Sequence, residues 1–287
     1  MPELRGPDGA LTFFHDRRIQ WWRNPRSGDG PGTGPTRNLA SSQVCCVNFL
    51  LPLAVRPGVL EGLLKAIDPD VLEVVPVEYD GLASRVELEW VGWKGPLEGG
   101  RITRGANQTS ADALIVARTT AGHRAYVLEW KYCEQYQRPE DKGEGPSGET
   151  RRQRYLERYS AVDSPFNGLA PLDEFLFEPF YQIMRLLLLA RKLRQEGVTR
   201  TLQVDDVRVL VICPEANLEY RRVVKSTPLA KRFLALEALE EVIHATLKAP
   251  RDFAMVGQEG LVEALRRDPC AGDLDDWLEY HRVRYGW

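Results

Sequence analysis

Asp112 and the triplet Glu129-Trp130-Lys131 stand on two consecutive apolar segments, Ala111–Arg118 and Arg124–Tyr132. Both segments read as β-strands, and the Thr119–His123 stretch between them holds Gly122, which suits a tight turn. Side chains alternate along a strand, so Glu129 and Lys131 share one face and Trp130 takes the other. A hairpin then brings Asp112 beside Glu129. Two close carboxylates repel, and one takes up a proton unless a cation lies between them. Mg²⁺, which uses one or two carboxylates, water and a substrate phosphate, resolves that conflict. A lysine alongside can orient or deprotonate a water, or neutralise phosphate charge. The set suits metal-assisted phosphodiester hydrolysis. The plain alternative is three surface residues on amphipathic strands, because a bare acid…Glu-x-Lys pattern is frequent.

The elements around these residues must hold them in place. A helix is expected over 39–51, capped by Asn38, with Leu39, Val44, Val47 and Leu51 on an apolar face and Pro52 and Pro57 ending it. A short helix follows at Val59–Ile67. Arg85–Gly92 alternates, with Val86, Leu88 and Trp90 on one side and Glu87 and Glu89 on the other. It is expected to join the two later strands in a meander. Residues 133–177 read as a long irregular insertion, with helix open only around 151–159. Glu178–Glu196 is a strongly apolar helix stopped by Gly197. The continuous apolar run Val207–Cys213 reads as a buried strand. Helices are expected at 228–247, 258–267 and 273–282.

The order helix, meander, helix, strand, carrying Asp112 and Glu129-Trp130-Lys131 in its second and third strands, resembles the PD-(D/E)xK nuclease superfamily over about 39–215. In finer detail Ser41-Ser42-Gln43…Asn48, Thr109-Ser110-Ala111-Asp112, Glu129-Trp130-Lys131-Tyr132 and Tyr181-Gln182…Arg185 resemble a bacterial restriction-endonuclease-like branch of it. The resemblance implies an α/β fold with an αβββαβ core, a mixed central sheet flanked by helices and a helical C-terminal extension. It further implies metal-binding carboxylates at Asp112 and Glu129, a metal contact from the Trp130 backbone carbonyl, and a catalytic lysine at Lys131. The activity implied is divalent-metal-dependent endonuclease hydrolysis by a metal-activated water. Mg²⁺ would be the cofactor, Mn²⁺ its substitute, and DNA rather than RNA the substrate. Two departures stand out. Ala111 replaces the proline of the motif, and Gln43 is neutral where many members carry an acid on the first helix. Glu87 or Glu89 is the candidate replacement, and the number of metal ions stays open. Gln43 and the acidic net charge also motivate a second reading, an inactive nuclease-like module that binds nucleic acid or a partner protein.

Further site candidates follow from their neighbours. Gln182 and Arg185 share a face of the apolar helix and are expected near the site, for phosphate or for orienting Lys131. Ser110 and Gln43 are placed at the substrate, with a backbone hydrogen bond as the plainer role for Ser110. Arg151, Arg152, Arg154 and Arg158, interleaved with Tyr155 and Tyr159, suit backbone contacts and base stacking. Arg17, Arg18 and Arg23 with Trp21 and Trp22 form a second such set. The four histidines are scattered without metal spacing. The formal charge of −3 argues against binding a polyanion by bulk charge. Residues 61–100 hold nine acidic and three basic residues, so the rest of the chain is net basic, and this acidic block is expected to face away from the site. Five cysteines without a CxxC pair imply reduced thiols, four of them buried, and a cytoplasmic setting. The N-terminus lacks secretory-signal character and no apolar stretch is long enough for a bilayer. The expected organisation is an arm at 1–38, a nuclease core at 39–220 and a helical extension at 221–287. Whether the chain forms a homodimer stays open.

Overall fold

The computed structural model describes residues 9–21, 34–36, 38–99, 108–136, 140–223, 225–272 and 274–287. At its centre is a six-stranded mixed sheet. Strands β5 (Ala111–Thr119) and β6 (Gly122–Trp130) form an antiparallel hairpin, closed by Thr120 and Ala121. β1 (Val71–Val75) and β4 (Glu87–Trp90) both pair antiparallel with β5, β1 along its later half and β4 along its start. β7 (Asp206–Ile212) then adds parallel to β6, and β8 (Phe253–Val256) parallel to β7. The short strands β2 (Val77–Tyr79) and β3 (Leu82–Ser84) form a separate hairpin.

Each face of the sheet is covered, which explains why β5, β6 and β7 carry apolar residues at nearly every position. One layer holds α4 (Gly145–Ser160), α5 (Phe180–Glu196) and α8 (Leu239–Thr246), packed on Leu114, Val116, Val127 and Val209. The other holds α1 (Ala10–Asp16), α2 (Ser42–Ala54), α3 (Pro57–Ile67), α9 (Gln258–Arg267) and α10 (Asp275–Tyr285), packed on Ala113, Ile115, Tyr126 and Leu128. Short helices α6 (Leu218–Arg221) and α7 (Pro228–Arg232) lie between β7 and α8. Leu186 to Leu189 of α5 are all at most 1% exposed. Each such leucine stabilises the fold by about 1.5–3 kcal/mol relative to exposure. The mixed sheet flanked by helices, with a C-terminal helix beyond it, is the expected fold class.

Several local expectations change. The helix expected over 39–51 is α2, capped by Ser41, whose Oγ accepts from Val44 N–H at 3.3 Å, and not by Asn38. It runs through Pro52 to Ala54. Proline cannot bond the carbonyl four residues back, and that carbonyl, on Asn48, accepts from the Trp277 indole at 3.2 Å instead. Leu39 is 71% exposed and does not belong to the apolar face. Trp90 does not share a side with Val86 and Leu88. Glu89 between them adopts φ +53°, which breaks the alternation and sends Trp90 into the opposite layer. The insertion expected to be irregular at 133–177 contains a full helix, α4, over sixteen of its residues. The stretch 221–287 supplies β8 to the sheet as well as helices, a strand hidden in the short segment Phe253–Val256. Three cysteines, Cys45, Cys46 and Cys213, are buried, and Cys133 and Cys270 are exposed. Among the described residues no helix is long and apolar enough to cross a membrane.

Candidate active site

The β5–β6 ladder ends at the Ala113–Leu128 pair. The next rung carries Asp112 and Glu129, and here the strands part. In place of a backbone bond, Asp112 Oδ2 accepts from the Trp130 N–H at 2.7 Å. On the other side of β5, the pairs Leu88–Ala113 and Trp90–Ala111 bracket Glu89 opposite Asp112. Three carboxylates, Glu89, Asp112 and Glu129, therefore occupy one row across β4, β5 and β6. Each outer member is gripped by a glutamine from a different layer of helices. Gln43 of α2 donates through Nε2 to Glu89 Oε1, and Gln182 of α5 donates through Nε2 to Glu129 Oε1 at 2.6 Å. Lys131 Nζ lies 2.7 Å from the same Glu129 oxygen.

Charge is unevenly balanced along this row. Burial pushes the Asp112 carboxyl well above the usual carboxylate range, and Glu129 and Glu89 push it further, against the weaker pull of Lys131 and the Trp130 amide. Burial opposes the charge on Lys131, but Glu129, Tyr220, Tyr136 and Glu134 together hold it above its ordinary value. The Lys131 ammonium also sits 5.9 Å over the Tyr220 ring. The buried cation of the row is thus paired with Glu129, and Asp112 is left short of positive charge. In an extended strand the N–H and C=O of one residue point to the same edge. The Trp130 carbonyl therefore faces β5, beside Asp112, where it and the two carboxylates form an oxygen-rich donor set. Such a set suits a hard divalent cation. Among the described residues no three His, Cys, Asp or Glu side chains cluster as a ready ligand set.

The row forms the floor of a cleft of about 840 Å³. Of the residues singled out in the sequence, Gln43, Ser110, Asp112, Glu129, Lys131, Arg151, Arg154, Gln182 and Arg185 all line it. Arg152 does not; it pairs with Asp173 and Glu149 outside the cleft. Ser110 Oγ donates to Glu89 Oε2 at 3.3 Å, not to the backbone. Tyr155 and Tyr159 are core residues rather than stacking platforms, with hydroxyls bound to Glu98 and to the Ala170 carbonyl. Arg17 is bound through two 2.8 Å hydrogen bonds to Glu87, so Glu87 is a structural partner and Glu89 is the strand acid that reaches the cleft. Trp21 stacks on Phe14 at 3.8 Å. Trp22, Arg23 and most of the glycine-rich segment at 26–36 lie outside the described residues. None of the four histidines lines the cleft.

The acidic block is not turned away as a whole. Glu89 belongs to the row, and Glu98 anchors the approach to β5. Glu98 accepts from Thr109 N–H at 2.9 Å, from Thr109 Oγ, and from Tyr155 Oη at 2.7 Å, with Arg185 at 3.5 Å. These donors overcome the effect of burial and hold its carboxyl below the usual range. Arg185 also donates to Thr109 Oγ1 at 3.0 Å and to the Gln108 carbonyl. It is thereby committed to positioning the segment that leads to Asp112. Nothing in the sequence signalled Glu98, which sits between Leu97 and two glycines with no periodic context. Glu178, raised by burial, and Lys142 also line the cleft and escaped the motif reading.

Residues 20–286 match the family model described as "Restriction Endonuclease associating with ARP". The chain belongs to this family. That is the restriction-endonuclease-like kind of family its motifs resemble, and the match extends well beyond 39–215 to take in β8, α9 and α10. No curated protein and no solved structure matched the chain.

Proposed function

We propose that this restriction-endonuclease-family chain is a divalent-metal-dependent endonuclease of the PD-(D/E)xK type that hydrolyses phosphodiester bonds, in DNA in preference to RNA. The observation that carries the reading is the Asp112–Glu129 rung with Lys131 on the same carboxylate, at the floor of a wide cleft. Asp112, Glu129 and the Trp130 carbonyl would hold Mg²⁺ or Mn²⁺, with water and a substrate phosphate completing its shell. The bound ion would supply Lewis acidity and lower the pKa of water at the scissile phosphorus. Lys131 offers the ammonium of the floor row, placed to orient the attacking water or to offset charge growing on the phosphate. Gln182 fixes the rotamer of Glu129. Arg151 and Arg154 on α4 give the cleft a cationic wall for the phosphate backbone. The three-carboxylate row does not favour a non-catalytic module, because a purely structural role leaves the repulsion at Asp112 unexplained.

The test is cleavage of single- and double-stranded DNA and of RNA with Mg²⁺ or Mn²⁺, by the native chain and by Asp112→Asn and Lys131→Met. Cleavage that needs the metal and is abolished in both variants is the expected result. Undiminished cleavage by either folded variant sinks the assignment.

A further inference from the structure

The sheet ladder is broken at Lys131, and a side chain from the C-terminal stretch closes the break. β6 and β7 run parallel, so a residue of one strand donates and accepts on the same edge of the other. Lys131, just past β6, donates its N–H to the Ile212 carbonyl at 2.8 Å. The register Trp130–Ile212 then assigns the Lys131 carbonyl to the N–H of residue 214. That residue is proline and has no N–H to give. Gln258 supplies the missing donor, its Nε2 reaching the Lys131 carbonyl at 2.8 Å. Gln258 opens α9 directly after β8, and β8 lies on the far side of β7 from β6. Its side chain therefore passes the end of β7 to reach Lys131. Gln258 is fully buried, and its Oε1 has no partner among the described residues. An unpaired buried acceptor is destabilising. Leu261, Val262 and Leu265 are the other buried side chains of α9, so packing alone favours an apolar residue here. The amide is retained for its N–H. Neighbouring bonds grip the same corner: Glu259 accepts from Glu215 N–H at 2.9 Å, and Asn217 Nδ2 donates to the Tyr132 and Glu134 carbonyls at 3.3 and 3.1 Å. Of these, only the Gln258 bond falls on Lys131 itself.

We infer that Gln258 is a positioning residue for Lys131, closing the rung that Pro214 leaves open and so fixing the peptide from which the ammonium is directed onto Glu129; the inference rests on the nuclease reading above. Lys131 follows the last residue of β6, and without this bond its backbone is tied to the sheet by its N–H alone. A lysine is a point charge on a flexible four-carbon stem, so its precision depends on where the stem is rooted. Here the root is fixed by Ile212 and Gln258, and the tip by Glu129 at 2.7 Å. The αβββαβ core carries the motif, but β8 and α9 beyond it deliver the bond that completes the lysine's backbone. The C-terminal stretch is on this reading part of the machinery rather than a cover for it.

Pro214 provides the test, because Pro214→Ala restores the N–H that the ladder lacks. The full chain is compared with Gln258→Met, with Pro214→Ala and with the double variant, in single-turnover cleavage of DNA with Mg²⁺. Gln258→Leu also removes the donor, so a Met variant that fails to fold leaves a second one to measure. Gln258→Met should slow cleavage by up to roughly 100-fold, the loss expected from a misplacement on the order of 1 Å, with DNA affinity unchanged. Pro214→Ala alone should cleave at the native rate. The double variant should recover most of the loss, since the alanine N–H then bonds the Lys131 carbonyl. Native cleavage in Gln258→Met, or a loss that Pro214→Ala does not restore, makes Gln258 a packing residue of α9 and overturns the inference. A second readout needs no activity. The NMR signal of the Lys131 ε-methylene, assigned by its absence in Lys131→Met, should move toward the exposed-lysine position in Gln258→Met and return in the double variant. An unmoved signal overturns the inference whatever the cleavage. A native chain that cuts nothing, with the signal moving and returning as described, sinks the nuclease reading alone.

Discussion

Gln182 and Lys131 place their donors on the same oxygen of Glu129, at 2.6 and 2.7 Å. Glu129 is 3% exposed, and its carboxylate is held by one charged donor from the residue after β6 and one neutral donor from α5. Groups that orient a metal-site ligand typically contribute 10- to 100-fold. Gln182→Leu keeps the bulk of the side chain and removes the donor. Turnover should fall by roughly that factor with substrate affinity little changed, and the metal concentration for half-maximal rate should rise. Weaker affinity at unchanged turnover would instead make Gln182 a substrate-binding group.

Asp112 carries the opposite signature, a carboxyl that burial and two neighbouring acids hold protonated to higher pH than in the unfolded chain. Between the two pKa values the folded state binds more protons than the unfolded state, so stability falls as pH rises through that window. Asp112→Asn keeps an acceptor for the Trp130 amide and removes the charge. The variant should melt higher than the native chain at pH 8, with the difference shrinking as pH falls through the raised pKa. Added Mg²⁺ or Mn²⁺ should raise the melting temperature of the native chain and leave the variant unmoved. A variant less stable than the native chain at pH 8 contradicts the picture. Higher stability with cleavage abolished is the expected trade at a site built for a missing charge.

The carboxylate row was legible as geometry because strand alternation is a strict rule. Once β5 and β6 are recognised as a two-residue hairpin, Asp112 and Glu129 must meet on one rung. The long helices read equally well from apolar spacing and Gly197. What escaped depended on tertiary partners. Pro52 reads as a helix end unless Trp277, over two hundred residues away, bonds the orphaned Asn48 carbonyl. The tyrosines of α4 read as stacking residues until the Glu98 network and the core claim them. The left-handed Glu89 has no sequence signal, and it turns Trp90 into the layer opposite Val86 and Leu88.

The arginine run of α4 divides by direction. Arg154 lines the cleft, whereas Arg152 is spent on Asp173 and Glu149. Removing one phosphate-binding cation from a duplex site reduces the slope of log affinity against log salt by about 1. Arg154→Ala should weaken DNA binding alike across sequences and reduce that slope by about this amount, and Arg152→Ala should leave both affinity and slope as in the native chain. Equal effects from the two variants would mean that α4 does not present one face to the substrate.

The far end of the same hairpin offers a control that separates folding from chemistry. Asp68, 2% exposed, closes α3 and accepts from Tyr126 Oη at 2.6 Å and from Arg124, with Arg208 at 3.0 Å. Burial works to raise its carboxyl, but these donors win and hold it below the usual range. Its contribution is therefore present above the ordinary carboxylate pKa and is lost as pH falls through the lower folded value. Arg124 keeps Asp206 at 2.8 Å, so removing Asp68 leaves buried donors short of one acceptor and costs about 1–3 kcal/mol. Asp68→Ala should lower the urea midpoint accordingly at pH 7, and the penalty should shrink in acid. Asp68 does not line the cleft, so cleavage per folded molecule should stay at the native level. A fall in specific activity matching that of Asp112→Asn would mean that the hairpin transmits strain along its whole length to the carboxylate row.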